Sequence, residues 1–282
     1  MTAMTEGRLV LLIVSMLATS LSSAQTPGAY LGDLSWPEAE KRIAAAALVI
    51  VPFAAGSKEH GPHLPMNADQ VVAEYLVDAA VNAQPVIVVP PILHGWFPAF
   101  RDFPGTEIAD AAVFQAYVFE IGMSLVKHGA QRLVFLNTGI TNASGLPITI
   151  AAREIRVLTG VPTLVVSWND LETEESALIA EQREGGHAGE IETSINLYLQ
   201  PEKVRMDLAV QDYGNRPQED YAGYAPGVLS RDANDPGYSA TGLFGDATLA
   251  TAEKGKQVLE IMTGEWLRAL QQFARTPLKK PG

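Results

Sequence analysis

Apolar and polar positions along the chain fall into two patterns that alternate. Residues 47–53, Ala47-Leu48-Val49-Ile50-Val51-Pro52-Phe53, form an unbroken apolar run rich in β-branched residues, which predicts a strand buried on both faces. Residues 69–83 place Val71, Val72, Tyr75, Leu76 and Ala79 at helical spacing, so a strand, a loop and a helix follow one another. The same order then recurs. Residues 85–90 predict a strand, 91–106 a long loop of Gly, Pro and aromatic residues, and 110–128 a helix closed by Gly129. A third strand at 132–136, a turn-rich loop at 137–145, a helix reaching 158 and a fourth strand at 162–167 complete the series. A polar lead-in at 31–36 predicts a turn, and 37–46 predicts a helix before the first strand.

Such alternation predicts an α/β domain with a mostly parallel sheet and helices on both faces, with sites in the loops beyond the carboxyl ends of the strands. Beyond Trp168 the pattern changes. Residues 170–184 read as an acidic helix, 195–199 as an apolar helix ended by Pro201, and 251–273 as a closing helix. Between the last two, residues 211–248 are rich in Gly, Pro, Asp and Tyr, and a loop of that length is functional or mobile.

Composition narrows this further. A chain of 282 residues, 47% hydrophobic and 18% charged, fits one domain with a large core. Residues 1–24 are expected to stand outside it as a signal peptide: Arg8, an apolar run from Leu9 to Leu21 and Ser22-Ser23-Ala24 before Gln25 have the order of a secretory leader. That apolar run is shorter than the ~20 residues a membrane span needs. The expectation is therefore a single domain over 25–282, exported to the periplasm or secreted, with no membrane attachment after cleavage. No cysteine is present, so any metal is held by nitrogen and oxygen. A net charge of −12 without a basic stripe argues against nucleic acid as a partner.

The chemistry gathers at the end of the first strand. Gly56 to Asp69 holds two of the five histidines together with Glu59 and Asp69, and imidazole with carboxylate is the usual donor set for a divalent ion. Asp69 also has the position of a helix N-cap, and His63 can serve the loop backbone as readily as a ligand. Trp96, Phe97, Phe100 and Trp168 follow strands, where they either line a pocket or pack in the core.

Four segments together resemble the creatininase family of metal-dependent amidohydrolases: His60-Gly61-Pro62-His63-Leu64-Pro65 with Asp69, Phe103-Pro104-Gly105-Thr106, His187-Ala188-Gly189-Glu190-Ile191-Glu192-Thr193-Ser194, and Ala250-Thr251-Ala252-Glu253-Lys254-Gly255. The resemblance spans roughly residues 30–273. It implies a three-layer α/β/α sandwich, a homo-oligomer, a hexamer in family terms, and hydrolysis of a C–N bond in a small cyclic or linear amide. It further implies one or two ions of Zn, Mn or Fe, with a metal-bound hydroxide as the attacking group.

Carried over residue by residue, the resemblance makes Glu59, His60, Asp69 and Glu192 metal ligands. His187 becomes the proton shuttle. Beside the resemblance, Glu190 is expected with His187 in catalysis, and His63, Trp96 and Trp168 are expected as substrate contacts. Two departures mark a divergent branch. Lys58 stands where the family carries a Glu, so that Glu59 must serve from a shifted position. Asn137-Thr138-Gly139-Ile140-Thr141-Asn142 aligns with the family's Asn-Gly-His-x-x-Asn, so Gly139 replaces a metal-binding histidine. The alternative function is a small-molecule-binding protein that keeps the fold without catalysis.

Overall fold

A computed structural model describes residues 27–139, 145–214, 231–234 and 238–278. The segment 1–24 and residues 140–144 of the Asn137 loop lie outside these. A five-stranded parallel sheet runs in the order β1-β3-β2-β4-β5, with β1 Ala29–Tyr30, β2 Leu48–Phe53, β3 Val86–Val88, β4 Leu133–Asn137 and β5 Thr163–Ser167. The first strand occupies two residues at the edge beside β3, just before the turn predicted at 31–36. Its brevity left no apolar alternation to read.

Around the sheet lie α1 Trp36–Ala45, α2 Ala68–Ala83, α3 Ala111–Lys127, α4 Gly145–Thr159, α5 Trp168–Leu171, α6 Glu174–Ala177, α7 Glu190–Leu199 and α8 Ala252–Ala274. Two short strands, β6 Gln211–Asp212 and β7 Gly245–Asp246, pair antiparallel apart from the main sheet. Among the described residues no helix is long and apolar enough to cross a membrane.

Alternation along β2 builds the layers. Leu48 and Ile50 enter a core with Leu76 of α2, Ile195 of α7 and Val258, Met262 and Trp266 of α8. Val49, Val51 and Phe53 point the other way, into a core with Ile43 of α1, Phe114 and Val118 of α3 and Ile148 and Ile155 of α4. Successive side chains on a strand face opposite sides, so a sheet apolar on both faces needs a helical layer on each. This is the expected three-layer sandwich.

Two helix boundaries differ from the sequence reading. The acidic stretch 170–184 breaks into α5 and α6 because Glu172 ends the first in extended backbone and Thr173 caps the second, its hydroxyl accepting from Ser176 N at 3.2 Å. Helix α7 begins at Glu190, five residues before its apolar run. Its opening turn carries acids and small polar residues, which hid it from a hydrophobic criterion.

Candidate functional site

The carboxyl ends of β2 and β4 meet over α7. Lys58 N donates to the Met66 carbonyl at 3.1 Å, closing the first loop on itself. The Phe103-Pro104-Gly105-Thr106 turn braces it from outside: Glu59 N donates to Thr106 Oγ1 at 3.0 Å, and Glu107 N to the Ser57 carbonyl at 3.0 Å. That motif therefore acts as a strut for the His60 loop. From β4, Thr138 Oγ1 donates to the Asp69 carbonyl at 3.0 Å, fixing the first turn of α2.

Within this frame, Asp69 sits 2% exposed in the first turn of α2, one residue past the helix start. The cap position belongs to Asn67, which frees the Asp69 carboxylate to face the loop. Lys58 Nζ lies 2.6 Å from Asp69 Oδ2, and His60 Nε2 lies 3.1 Å from Oδ1. His60 Nδ1 is 2.8 Å from the Lys58 carbonyl, so Nδ1–H donates there and Nε2 turns to the carboxylate. Burial alone would push the Asp69 carboxyl up, but the Lys58 and His60 charges overcome it and hold the group far below the usual carboxylate range. Lys58 Nζ also lies 5.3 Å from the centre of the Phe100 ring, a cation–π contact.

The second half of the site comes from the segment before α7. Ala188 adopts φ +52°, unusual for a residue with a side chain, and His187 bridges to Phe244 through Phe244 N and the His187 carbonyl at 2.8 Å. This turn aims His187 inward. Its Nε2 lies 3.0 Å from Glu59 Oε2, and its Nδ1 lies 3.8 Å from Glu192 Oε2. The ring lies 4.1 Å from Phe100 and 5.1 Å from His60, centre to centre. Burial pushes the Glu59 carboxyl up, yet the His187 hydrogen bond and charge and the Gly61 amide bring it below its ordinary value. Gly242, at φ +79°, packs so closely on Glu59 that a Cβ would overlap the carboxylate.

The structure thus brings together four of the expected residues, His60, His187, Glu59 and Glu192, with Asp69 beside them. Others lie elsewhere. Glu190, expected beside His187 in catalysis, is fully buried and turned away: its Oε2 accepts from Glu181 N and Gln182 N at 2.7 Å each, and its Oε1 meets Lys254 of α8. It ties α7 to α8. Trp168, expected to touch substrate, packs in the core beneath α8 and donates Nε1–H to Glu172 at 2.7 Å. Trp96 packs against the opposite core. His63 is 1% exposed, with Nε2 2.7 Å from Thr193 Oγ1. Burial lowers its pKa to about 4, so it is a neutral tether between the loop and α7. Phe100, rather than either tryptophan, packs on the His187 imidazole.

Glu59, expected as a ligand, lies against His187. With Nε2–H donated to Glu59, the Nδ1 lone pair of His187 is directed toward Glu192, an arrangement common behind metal-ligating histidines. His60, His187 and Glu192 each place a donor atom within 4.8 Å of the others. Donors on one ion with bonds of about 2.0–2.2 Å stand about 3–3.5 Å apart, so modest closure converges all three. This set fits one divalent ion. Among the described residues a second ion lacks donors, since the Lys58 ammonium stands against Asp69 Oδ2 and Gly139 offers no side chain.

Comparison with known proteins bears on the family of the chain. The family model described as creatininase, creatinine amidohydrolase, matches residues 32–270. The creatinine amidohydrolase of Pseudomonas putida is 29% identical over 248 residues, covering 82% of this chain and 92% of that one. A mycofactocin precursor peptide peptidase of Mycolicibacterium smegmatis is 28% identical over 223 residues, 76% of this chain and 81% of its own. Among solved structures, one described as creatininase Mn and a creatininase variant described as Zn–Zn type each superpose with TM-score 0.69 at 27% identity, covering 86% of this chain and 97% of theirs.

Proposed function

We propose, on the premise that the chain belongs to the creatininase family of amidohydrolases, that it hydrolyses a C–N bond of a small cyclic or linear amide with one divalent ion, Zn, Mn or Fe. The observation that carries this reading is the convergence of His60, His187 and Glu192 at the carboxyl end of a parallel sheet. These three would hold the ion, which when bound supplies a Lewis acid for the carbonyl and an acidified water. Glu59 accepts a hydrogen bond from Nε2–H of His187 and fixes its tautomer. Phe100 lies 4.1 Å from the His187 ring, centre to centre, and belongs to an apolar cluster with Phe97 and Ala55. Export is supported by the leader-like order of residues 1–24 in the sequence, and self-association by exposed apolar residues on α3 and α4 such as Val113, Tyr117, Leu146 and Val157.

The test is hydrolysis of a panel of lactams, cyclic ureas and linear amides by chelator-stripped protein reloaded with Mn or Zn, reading carboxylate and amine release by mass spectrometry. Turnover restored by one equivalent of ion supports the reading; a loaded, folded protein inert on the whole panel refutes it. Fractionation with sequencing of the mature N-terminus near Gln25 tests export, and light scattering tests assembly.

The Glu59–His187 pair favours a second reading, in which His187 Nδ1 carries a proton to the leaving nitrogen instead of binding the ion, as a base oriented by a carboxylate does. His187→Gln separates the two. Loss of the bound ion fits the first, and a retained ion with lost turnover fits the second.

A further inference from the structure

The buried lysine beside the cluster has no part in the scheme above. Lys58 is 2% exposed and ranks among the largest fully buried side chains of the protein. Lysine is almost never buried without a partner, and its partner here is Asp69, at 2.6 Å. The Phe100 ring covers the ammonium from a second side. Asp69 therefore already holds a cation, fixed covalently to the loop.

We propose that Lys58 is the resident second cation of the site: its ammonium stands where a second divalent ion would meet Asp69, so the protein binds at most one ion per chain. This rests on the preceding reading of the cluster as the reactive site, and it deepens that reading. Three observations converge. The Lys58 ammonium stands 2.6 Å from Asp69 Oδ2 and covers that oxygen of the carboxylate. A doubly charged ion on Asp69 would lie within contact distance of a positive charge that the buried loop cannot move into solvent. On the far side, Gly139 offers no donor although its surroundings would accept one: a Cβ there would meet Asn137, Phe97 and Ala54 at 3.5–3.8 Å, ordinary contact distances. The lost ligand is thus a change of sequence that sterics did not force, and the lysine accompanies it.

Lys58 in this role is a positioning residue. It holds the Asp69 carboxylate in place at 2.6 Å, and the other oxygen of that carboxylate lies 3.1 Å from His60 Nε2.

The experiment counts ions. The full-length mature protein and the variant Lys58→Glu with Gly139→His are stripped, titrated with Mn²⁺ and Zn²⁺ in a calorimeter, and analysed for metal after gel filtration. The wild type is expected to saturate at one equivalent or fewer, and the double variant at one more than the wild type. Two tight equivalents on the wild type overturn the proposal, as does a folded double variant with wild-type stoichiometry. Should that variant not fold, Lys58→Met removes the charge alone. It is expected to raise apparent Zn²⁺ affinity at least tenfold, and unchanged affinity overturns the proposal. Two ions with amide turnover would remove only this inference, whereas one ion without turnover on any amide would remove only the preceding reading.

Discussion

Replacing Lys58 by Met in ion-free protein tests the core of the site directly. The pair is 2.6 Å apart and each partner is 2% exposed. At an effective dielectric of about 20 the direct Coulomb attraction is about 6 kcal/mol, much of it offset by the cost of dehydrating both groups. Removing one partner of a buried pair costs about 3–5 kcal/mol because the other charge is left uncompensated. His60 remains 3.1 Å from the other Asp69 oxygen, which places the expected loss near the low end, about 3 kcal/mol. Asp69→Asn should cost a similar amount by stranding the ammonium. The double variant removes both charges, so its loss should fall below the sum of the singles by at least about 2 kcal/mol. Urea unfolding at pH 7 in the presence of a chelator, followed by circular dichroism, measures all three. Additive losses, or a Lys58→Met penalty under about 1 kcal/mol, would show that the ammonium and carboxylate are not energetically paired and would remove the basis for treating Lys58 as a fixed cation.

Other expectations follow from the same geometry. His63 has its pKa lowered to about 4, so between that value and 6.5 the unfolded chain binds the extra proton: stability is full above pH 6.5 and falls toward pH 4, and His63→Gln should flatten the urea midpoint over that range. Asp69, also held low, adds a loss at still more acid pH. Glu190→Gln should lower stability by about 2–3 kcal/mol through the broken tie to Lys254, while kcat/KM per folded molecule changes less than threefold; a hundredfold loss would restore Glu190 to catalysis. Gly255→Ala should cost about 2–4 kcal/mol in thermal unfolding, since a Cβ there would overlap the Ser194 carbonyl of α7. Gly242→Ala should displace Glu59 and lower activity at least tenfold, read as kcat with the ion saturating.

The central sheet was legible in the sequence because β2 and β4 are continuous apolar runs, and the site's location followed from the loop after β2. His60 and His187 were legible as site residues for a different reason: they stand in motifs whose spacing the fold requires. What could not be read was orientation. Glu59, Glu190 and Glu192 look alike on paper, yet one faces His187, one faces Lys254 and one joins the donor cluster. On α7 the division follows the helix, where Glu190 and Glu192 are two positions apart and so cannot share a face. Trp168 could not be placed from the sequence, because a tryptophan after a strand suits a pocket and a core equally, and only the structure shows it packed in the core with α8. The substitution at Lys58 was visible, but its meaning depended on the ammonium reaching Asp69 eleven positions later, around a loop whose path no local pattern reveals.

The bond between Glu59 and His187 joins residues 128 positions apart, across three strands and their crossovers. Closing so large a loop is entropically costly and comes late in parallel sheets. The donor cluster is therefore complete only when α7 has docked on a finished sheet. An intermediate with β2, β3 and β4 in place but α7 undocked would have His60 and lack both His187 and Glu192. Ion binding then reports the last step of assembly, and an ion added during refolding would act by trapping that step.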